Sequence, residues 1–347
     1  MAVLSSAGAP RRLRTRVAAL GTALACALAV VLAPAAVAGT AAAGAAAAVP
    51  PAQPAVGPGG SAYEHGGMTA TSGGKGDEAW YVFAPAAPAV QRAPVTVIAH
   101  GYGEYAGYAQ MEALIRHTVR HGGIVVYPRW QTCLLCPAPN MRDPLAAAAG
   151  GVRGALAWLR ADAARPQPLA DEASYFGFSY GGMITLNLAN RWAALGLPRP
   201  RAVMLDEPTG GPVGDQFDAS MAGVPASAKL VCMVSVEYAR SDPGHGCYHV
   251  WDSLGRIAAR DKDFVLVHTD AHGTPALHAV HGMSTGDAVD AIDYFAVWKL
   301  WDAARACALT GTWCDYLDGT AQEQSMGSWS DGTPVTALSV ADRPVTA

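Results

Sequence analysis

Ser179 has a glycine two positions away on either side, in the stretch Phe176-Gly177-Phe178-Ser179-Tyr180-Gly181-Gly182-Met183. A serine hydroxyl is a poor nucleophile at neutral pH and reacts only beside a base. The flanking glycines suit a serine raised on a sharp strand-to-helix turn, where side chains would collide between two closely packed elements. The pattern is short, and in a chain with 38 glycines its weight comes from what surrounds it.

An imidazole must take the serine proton, and an acid must orient that imidazole and stabilise its charged form. In an open α/β sheet built around such a turn the chain order is serine, acid, histidine. That order removes His65, His100, His117 and His121. His268 lies inside an apolar run and reads as a bonded core histidine. His272, in the loop Thr269-Asp270-Ala271-His272-Gly273 just after that run, is the expected base, and His281, later in the same loop, is the alternative. A metal cluster of His272, His278 and His281 lacks a carboxylate at a clear ligand spacing. The expected acid is Asp242, which Pro243-Gly244 turns behind an apolar strand, although such an aspartate also serves as a turn cap. Glu237, nearer the strand end, and Asp206, after the preceding strand, are the alternatives.

The developing oxyanion needs two backbone N–H donors. Tyr180 supplies one as the residue after the nucleophile, at the positive end of its helix. Tyr102 supplies the other from His100-Gly101-Tyr102-Gly103, where the glycines let the backbone bend. Tyr102, Tyr105, Tyr180 and Trp130 form either an apolar platform beside the site or ordinary packing, the second being the expected role of Tyr105 and Trp130 singly.

These residues need a scaffold of short apolar strands alternating with amphipathic helices, and the chain has one. Apolar runs at 78–83, 95–99, 124–127, 174–178, 202–205, 230–236 and 264–268 predict strands buried on both faces of a mostly parallel sheet. Helices are expected over 108–121, 144–161, 181–195, 251–259 and 287–307. Ser179 then falls at the carboxyl end of a sheet strand, where open α/β sheets hold their sites.

The arginines at 11, 12, 14 and 16, the apolar stretch after them and Ala36-Val37-Ala38 predict a signal peptide over 1–38, a membrane anchor being the rival reading. Its removal takes the formal charge from −4 to −8. With only four lysines the chain offers no basic stripe for nucleic acid. Residues 39–75 read as an Ala/Pro/Gly-rich linker and approach to the domain, with 39–60 a flexible tether. Residues 76–318 are expected to be the catalytic domain. A tail occupies 319–347, with no chemistry of its own and a turn able to tuck Trp329 against the body. Six cysteines remain after cleavage, and an even count in an exported chain predicts disulfides, 307–314, 232–247 and 133–136. Zinc at Cys133-Leu134-Leu135-Cys136 would need a second ligand pair that is missing.

On His100-Gly101-Tyr102-Gly103, Gly177-Phe178-Ser179-Tyr180-Gly181-Gly182 and His272 the chain resembles the α/β-hydrolase superfamily over about residues 76–308. Its layout is most similar to small exported members, the dienelactone-hydrolase-like esterases and cutinase-type polyester hydrolases. The resemblance implies an α/β-hydrolase fold, and the 206–228 segment is too short for a large lid domain. It implies a secreted serine hydrolase that cleaves small or polymeric carboxylic esters through an acyl-enzyme, with no cofactor, no metal, no nucleic-acid partner and no stable membrane insertion. It also carries the oxyanion amides over to Tyr102 and Tyr180. The family's Gly-x-x-Asp loop is replaced here by Ser235-Val236-Glu237-Tyr238. A peptidase or acyltransferase on the same fold, or a non-catalytic binding protein on a hydrolase scaffold, are the alternatives.

Overall fold

The computed structural model describes residues 47–286, 288–345 and 347. The expected signal peptide, 1–38, and the start of the linker lie outside the described residues. Among the described residues nine strands form one sheet: β1 (Gly67–Gly73), β2 (Trp80–Ala86), β3 (Arg92–Ala99), β4 (Ile124–Pro128), β5 (Gln167–Phe178), β6 (Pro200–Asp206), β7 (Lys229–Ser235), β8 (Lys262–Val267) and β9 (Ser339–Ala341). Their order is β1-β2-β4-β3-β5-β6-β7-β8-β9. The six strands from β4 to β8 pair in parallel, while β1, β2 and β9 join antiparallel at the edges. The chain is therefore an α/β protein with a mostly parallel sheet, as its apolar runs predict.

Alternation along each strand builds two cores. Val97, Tyr175 and Leu205 face one side, with buried residues of α2 (Arg142–Arg160) and α3 (Tyr180–Arg191). Ile98, Phe176 and Met204 face the other, with α1 (Glu112–Arg120) and α6 (Trp298–Thr310). Between them α4 (Val236–Ser241) and α5 (Cys247–Val250) come after β7, and α7 (Ala321–Gln324) precedes β9. The helix expected over 251–259 is instead α5 and a short 3-10 turn, Trp251–Leu254. The one expected to start at 287 is a π turn, Asp293–Val297, running into α6.

The edges of the domain extend further than the composition suggests. Within the expected tether, Ala48 is buried, its carbonyl accepts from the Thr274 amide at 2.8 Å, and the Gly59 amide donates to Asp302 at 2.9 Å. An uncharged Ala/Pro/Gly stretch resembles a linker by composition, but its small side chains also allow close backbone docking. The tail after 318 contributes β9 to the sheet and buries Trp329 to 2% exposure. Trp329→Ala is expected to destabilise the fold by about 3–5 kcal/mol, measured by denaturant unfolding.

Cysteines pair as 133–136, 232–247 and 307–314. These bonds suit an oxidising compartment. Among the described residues no helix is long and apolar enough to cross a membrane.

Candidate functional site

Ser179 joins β5 to α3 at φ 55° and ψ −126°, a strained conformation for a residue with a side chain. Its amide donates to the Asp206 carbonyl at 2.9 Å, tying the turn to the end of β6. The flanking glycines are sterically required. A Cβ on Gly177 would lie 2.3 Å from the Gly181 carbonyl oxygen, and one on Gly181 would lie 2.3 Å from the carbonyl oxygens of both Ala99 and His100. Those carbonyls belong to β3 and the loop after it and cannot yield cheaply. Gly181→Ala is therefore expected to cost about 3 kcal/mol or more, read as a lower melting temperature or loss of soluble protein.

The imidazole beside this serine belongs to His281. Its Nε2 is 3.2 Å from the Ser179 hydroxyl, and its Nδ1 is 2.9 Å from a carboxylate oxygen of Glu207. His272, the expected base, bonds elsewhere: its Nε2 is 2.7 Å from Asp331 on the C-terminal segment. The cause lies in the path of the loop after β8. Asp270 and Leu277 exchange two backbone hydrogen bonds, at 2.9 and 2.8 Å, so residues 270–277 make a small outward excursion that carries His272 with it. The chain then returns and delivers His281 over Ser179. The Asp270 carboxylate fixes the excursion by accepting from the Trp329 indole at 3.2 Å, the Thr336 amide at 2.8 Å and the Thr336 hydroxyl at 3.0 Å. His272, His278 and His281 do not converge on a common point, since His272 and His281 hold different partners.

Glu207 is not among the acids expected from the sequence, which are Asp242 and its alternatives Glu237 and Asp206. It is fully buried and sits just past β6 at φ 47°. One oxygen accepts from the Ser235 amide at 2.8 Å and from the Ser235 hydroxyl. The other accepts from the Gly282 amide at 3.2 Å and faces His281. The side chain is thus ringed by donors, the environment that suits a group whose role is to accept. The signal for it in the sequence is the pair Asp206-Glu207 ending an apolar strand, with Pro208 behind it.

Among the described residues the expected acid, Asp242, and the alternatives Asp206 and Glu237 make no hydrogen bond to His281. Asp206 is buried, and burial together with the neighbouring Glu207 charge pushes its carboxyl well above the usual range. Its Oδ2 accepts from the Ser284 hydroxyl. Asp242 accepts from the Tyr238 hydroxyl at 2.7 Å and the Thr209 hydroxyl at 3.2 Å. Tyr238 in turn stacks on His281 with ring centroids 4.4 Å apart, so Asp242 touches the imidazole only through that ring. Glu237 is exposed in the first turn of α4, where the Ser235 side chain caps the helix.

Tyr180 opens α3, and the first amides of a helix have no partner within it. The loop bearing Tyr102 is braced on both sides of that residue: the Gly101 amide donates to Glu104 at 2.9 Å and the Gly103 amide to Gln131 at 2.8 Å. His100 Nδ1 lies 2.8 Å from the Gly101 carbonyl oxygen, and burial lowers this histidine to about 4, so it is a neutral brace. Trp130 is wholly buried, with its indole N–H on the His100 carbonyl at 3.2 Å, and stacks under Tyr180. It is a packing residue, while Tyr102 and Tyr180 face the site.

A cavity of about 510 Å³ opens over Ser179 and His281, walled by Tyr102, Tyr180, Tyr238 and Val213 among others. Leu135 also lines it, on the short loop closed by the Cys133–Cys136 bond, whose Leu134 carbonyl accepts from the Gln131 side-chain amide at 3.2 Å. Among the described residues no carboxylate, ammonium or guanidinium group lines it. A hydroxyl, an imidazole and a buried carboxylate in one hydrogen-bonded line can pass a proton from oxygen to nitrogen while the carboxylate stabilises the imidazolium. Neither the family models nor the curated proteins searched contain a match to this chain.

Proposed function

We propose that the protein is a serine hydrolase of α/β-hydrolase type that cleaves carboxylic esters, with Ser179 as nucleophile, His281 as base and Glu207 as acid. The hydrogen-bonded line Ser179–His281–Glu207 carries this reading. Attack of the Ser179 oxygen on the ester carbonyl carbon transfers its proton to His281 Nε2. Glu207, held by Ser235 and Gly282, keeps Nδ1–H directed at itself and stabilises the imidazolium. The amides of Tyr102 and Tyr180 are assigned to the oxyanion. Collapse of the tetrahedral intermediate expels the alcohol, which takes the proton from His281. A water then repeats the sequence on the acyl-enzyme, and Ser179 is restored.

The chain order is serine, acid, histidine, with the acid after β6. The apolar walls of the cavity favour a neutral acyl group over a charged one. Six cysteines in three bonds support action outside the cytoplasm, in keeping with the signal peptide expected over 1–38. The direct test is labelling with a fluorophosphonate. Stoichiometric modification of Ser179, abolished in Ser179→Ala, is expected. An unlabelled, folded protein would instead favour the binding-scaffold alternative.

A further inference from the structure

We propose that His117, His121 and Asp302 form a site for a divalent cation of the zinc class, separate from the Ser179 chemistry and independent of it. One donor atom from each residue lies within 4.8 Å of the other two. The histidines are four apart on α1 and its C-cap, so they share a helix face, and Asp302 comes to them from α6. Zinc takes nitrogen and carboxylate donors at about 2.0–2.2 Å in a tetrahedron. Two imidazoles and one carboxylate match that ion better than magnesium or calcium, which prefer an all-oxygen shell.

The surrounding contacts orient the donors. His117 Nδ1 is 3.1 Å from the Tyr63 hydroxyl, which leaves its Nε2 toward Asp302 at 2.8 Å. His121 Nε2 is 3.2 Å from the Gly60 carbonyl oxygen, which leaves its Nδ1 free to ligate. An outer partner on the second ring nitrogen is the usual arrangement for metal-bound histidine. Asp302 Oδ2 accepts from the Gly59 amide and faces His117, whereas its Oδ1 is buried with no hydrogen-bond partner among the described residues. The Arg305 guanidinium is 3.8 Å from Oδ1, beyond hydrogen-bond reach, and opposes a second positive charge. Beyond His121 and Asp302 a cavity of about 320 Å³, also lined by Glu64 and Arg305, gives an ion an approach and a water a place as fourth ligand.

Binding would replace the direct His117–Asp302 contact with two bonds to the ion, releasing any proton shared between them. Gly59, Gly60 and Tyr63 surround the ligands, so the ion would fasten the leading segment to α1 and α6. That assigns the site a structural role, as a staple on the segment whose composition reads as a tether.

The test is calorimetric titration of the metal-stripped full chain with zinc chloride, with melting temperature followed in parallel. One ion per chain is expected, with a rise of several degrees at about 100 times Kd. His121→Gln keeps a donor for the Gly60 carbonyl but cannot ligate in place of Nδ1, and is expected to weaken binding by more than about 100-fold. His121 is only half-buried, so this variant should fold. Asp302→Asn is expected to act alike, and His249→Ala, at an exposed histidine paired with the buried Asp215 carboxylate, to leave binding unchanged. Absence of binding to the stripped protein, undiminished binding in His121→Gln, or loss only in His249→Ala would each overturn the site.

Discussion

His281→Ala is expected to lower kcat toward a soluble nitrophenyl ester by on the order of 10⁶-fold, about as much as Ser179→Ala, because base and nucleophile act as one unit. His272→Ala is expected to leave kcat near that of the unaltered protein. The two histidines share a loop, and both are partly exposed with a hydrogen-bonded carboxylate, so only position distinguishes them. His281 has Nε2 on the Ser179 hydroxyl and Glu207 behind it, whereas His272 faces Asp331. The Ser179→Ala/His281→Ala double variant should be no slower than either single one. A large loss in His272→Ala with activity retained in His281→Ala would reverse the assignment. His272→Ala is expected to show itself in stability instead, since it releases Asp331, whose carboxyl the His272 hydrogen bond and then the Thr333 amide hold down at about 2.

Glu207→Gln is expected to reduce kcat by about 10⁴-fold while leaving KM little changed. The amide keeps the shape of the side chain but does not stabilise the imidazolium, and it presents a donor where His281 also donates. Gln rather than Ala is the informative change. Truncation would strand the Ser235 and Gly282 donors in a buried place and cost stability by about 1–3 kcal/mol for each unmet group. Asp242→Asn tests the competing assignment. Its carboxylate bonds the Tyr238 and Thr209 hydroxyls, so its loss should loosen the ring stacked on His281 and lower kcat only modestly. A greater loss in Asp242→Asn than in Glu207→Gln, with both proteins folded, would contradict the proposed acid.

Features set by local physical chemistry were legible in the sequence. Continuous apolar runs announced the central strands, because a strand covered on both faces must be apolar throughout. The glycine spacing announced the corner at Ser179, because close packing forbids a Cβ at 177 and 181 whatever the rest of the chain does. The cysteine pairs nearest in sequence are the ones bonded. The outer strands β1 and β9 were not visible: β1 is half-exposed and rich in Gly and Thr, and β9 has only three residues.

The partners of Ser179 were decided by tertiary structure. Nearness in sequence to a strand end favoured His272 and Asp242. Their loops are shaped by contacts with other segments and side chains: Asp270 with Trp329 and Thr336, and Asp242 with Tyr238 and Thr209. Whether a loop residue turns inward or outward depends on what the loop packs against. The sequence by itself determined that Ser179 would stand on a sharp strand-to-helix corner. Which imidazole and which carboxylate reach it was settled only when the C-terminal segment folded back onto the loop after β8, because long-range hydrogen bonds, rather than local propensity, fix the path of an irregular chain.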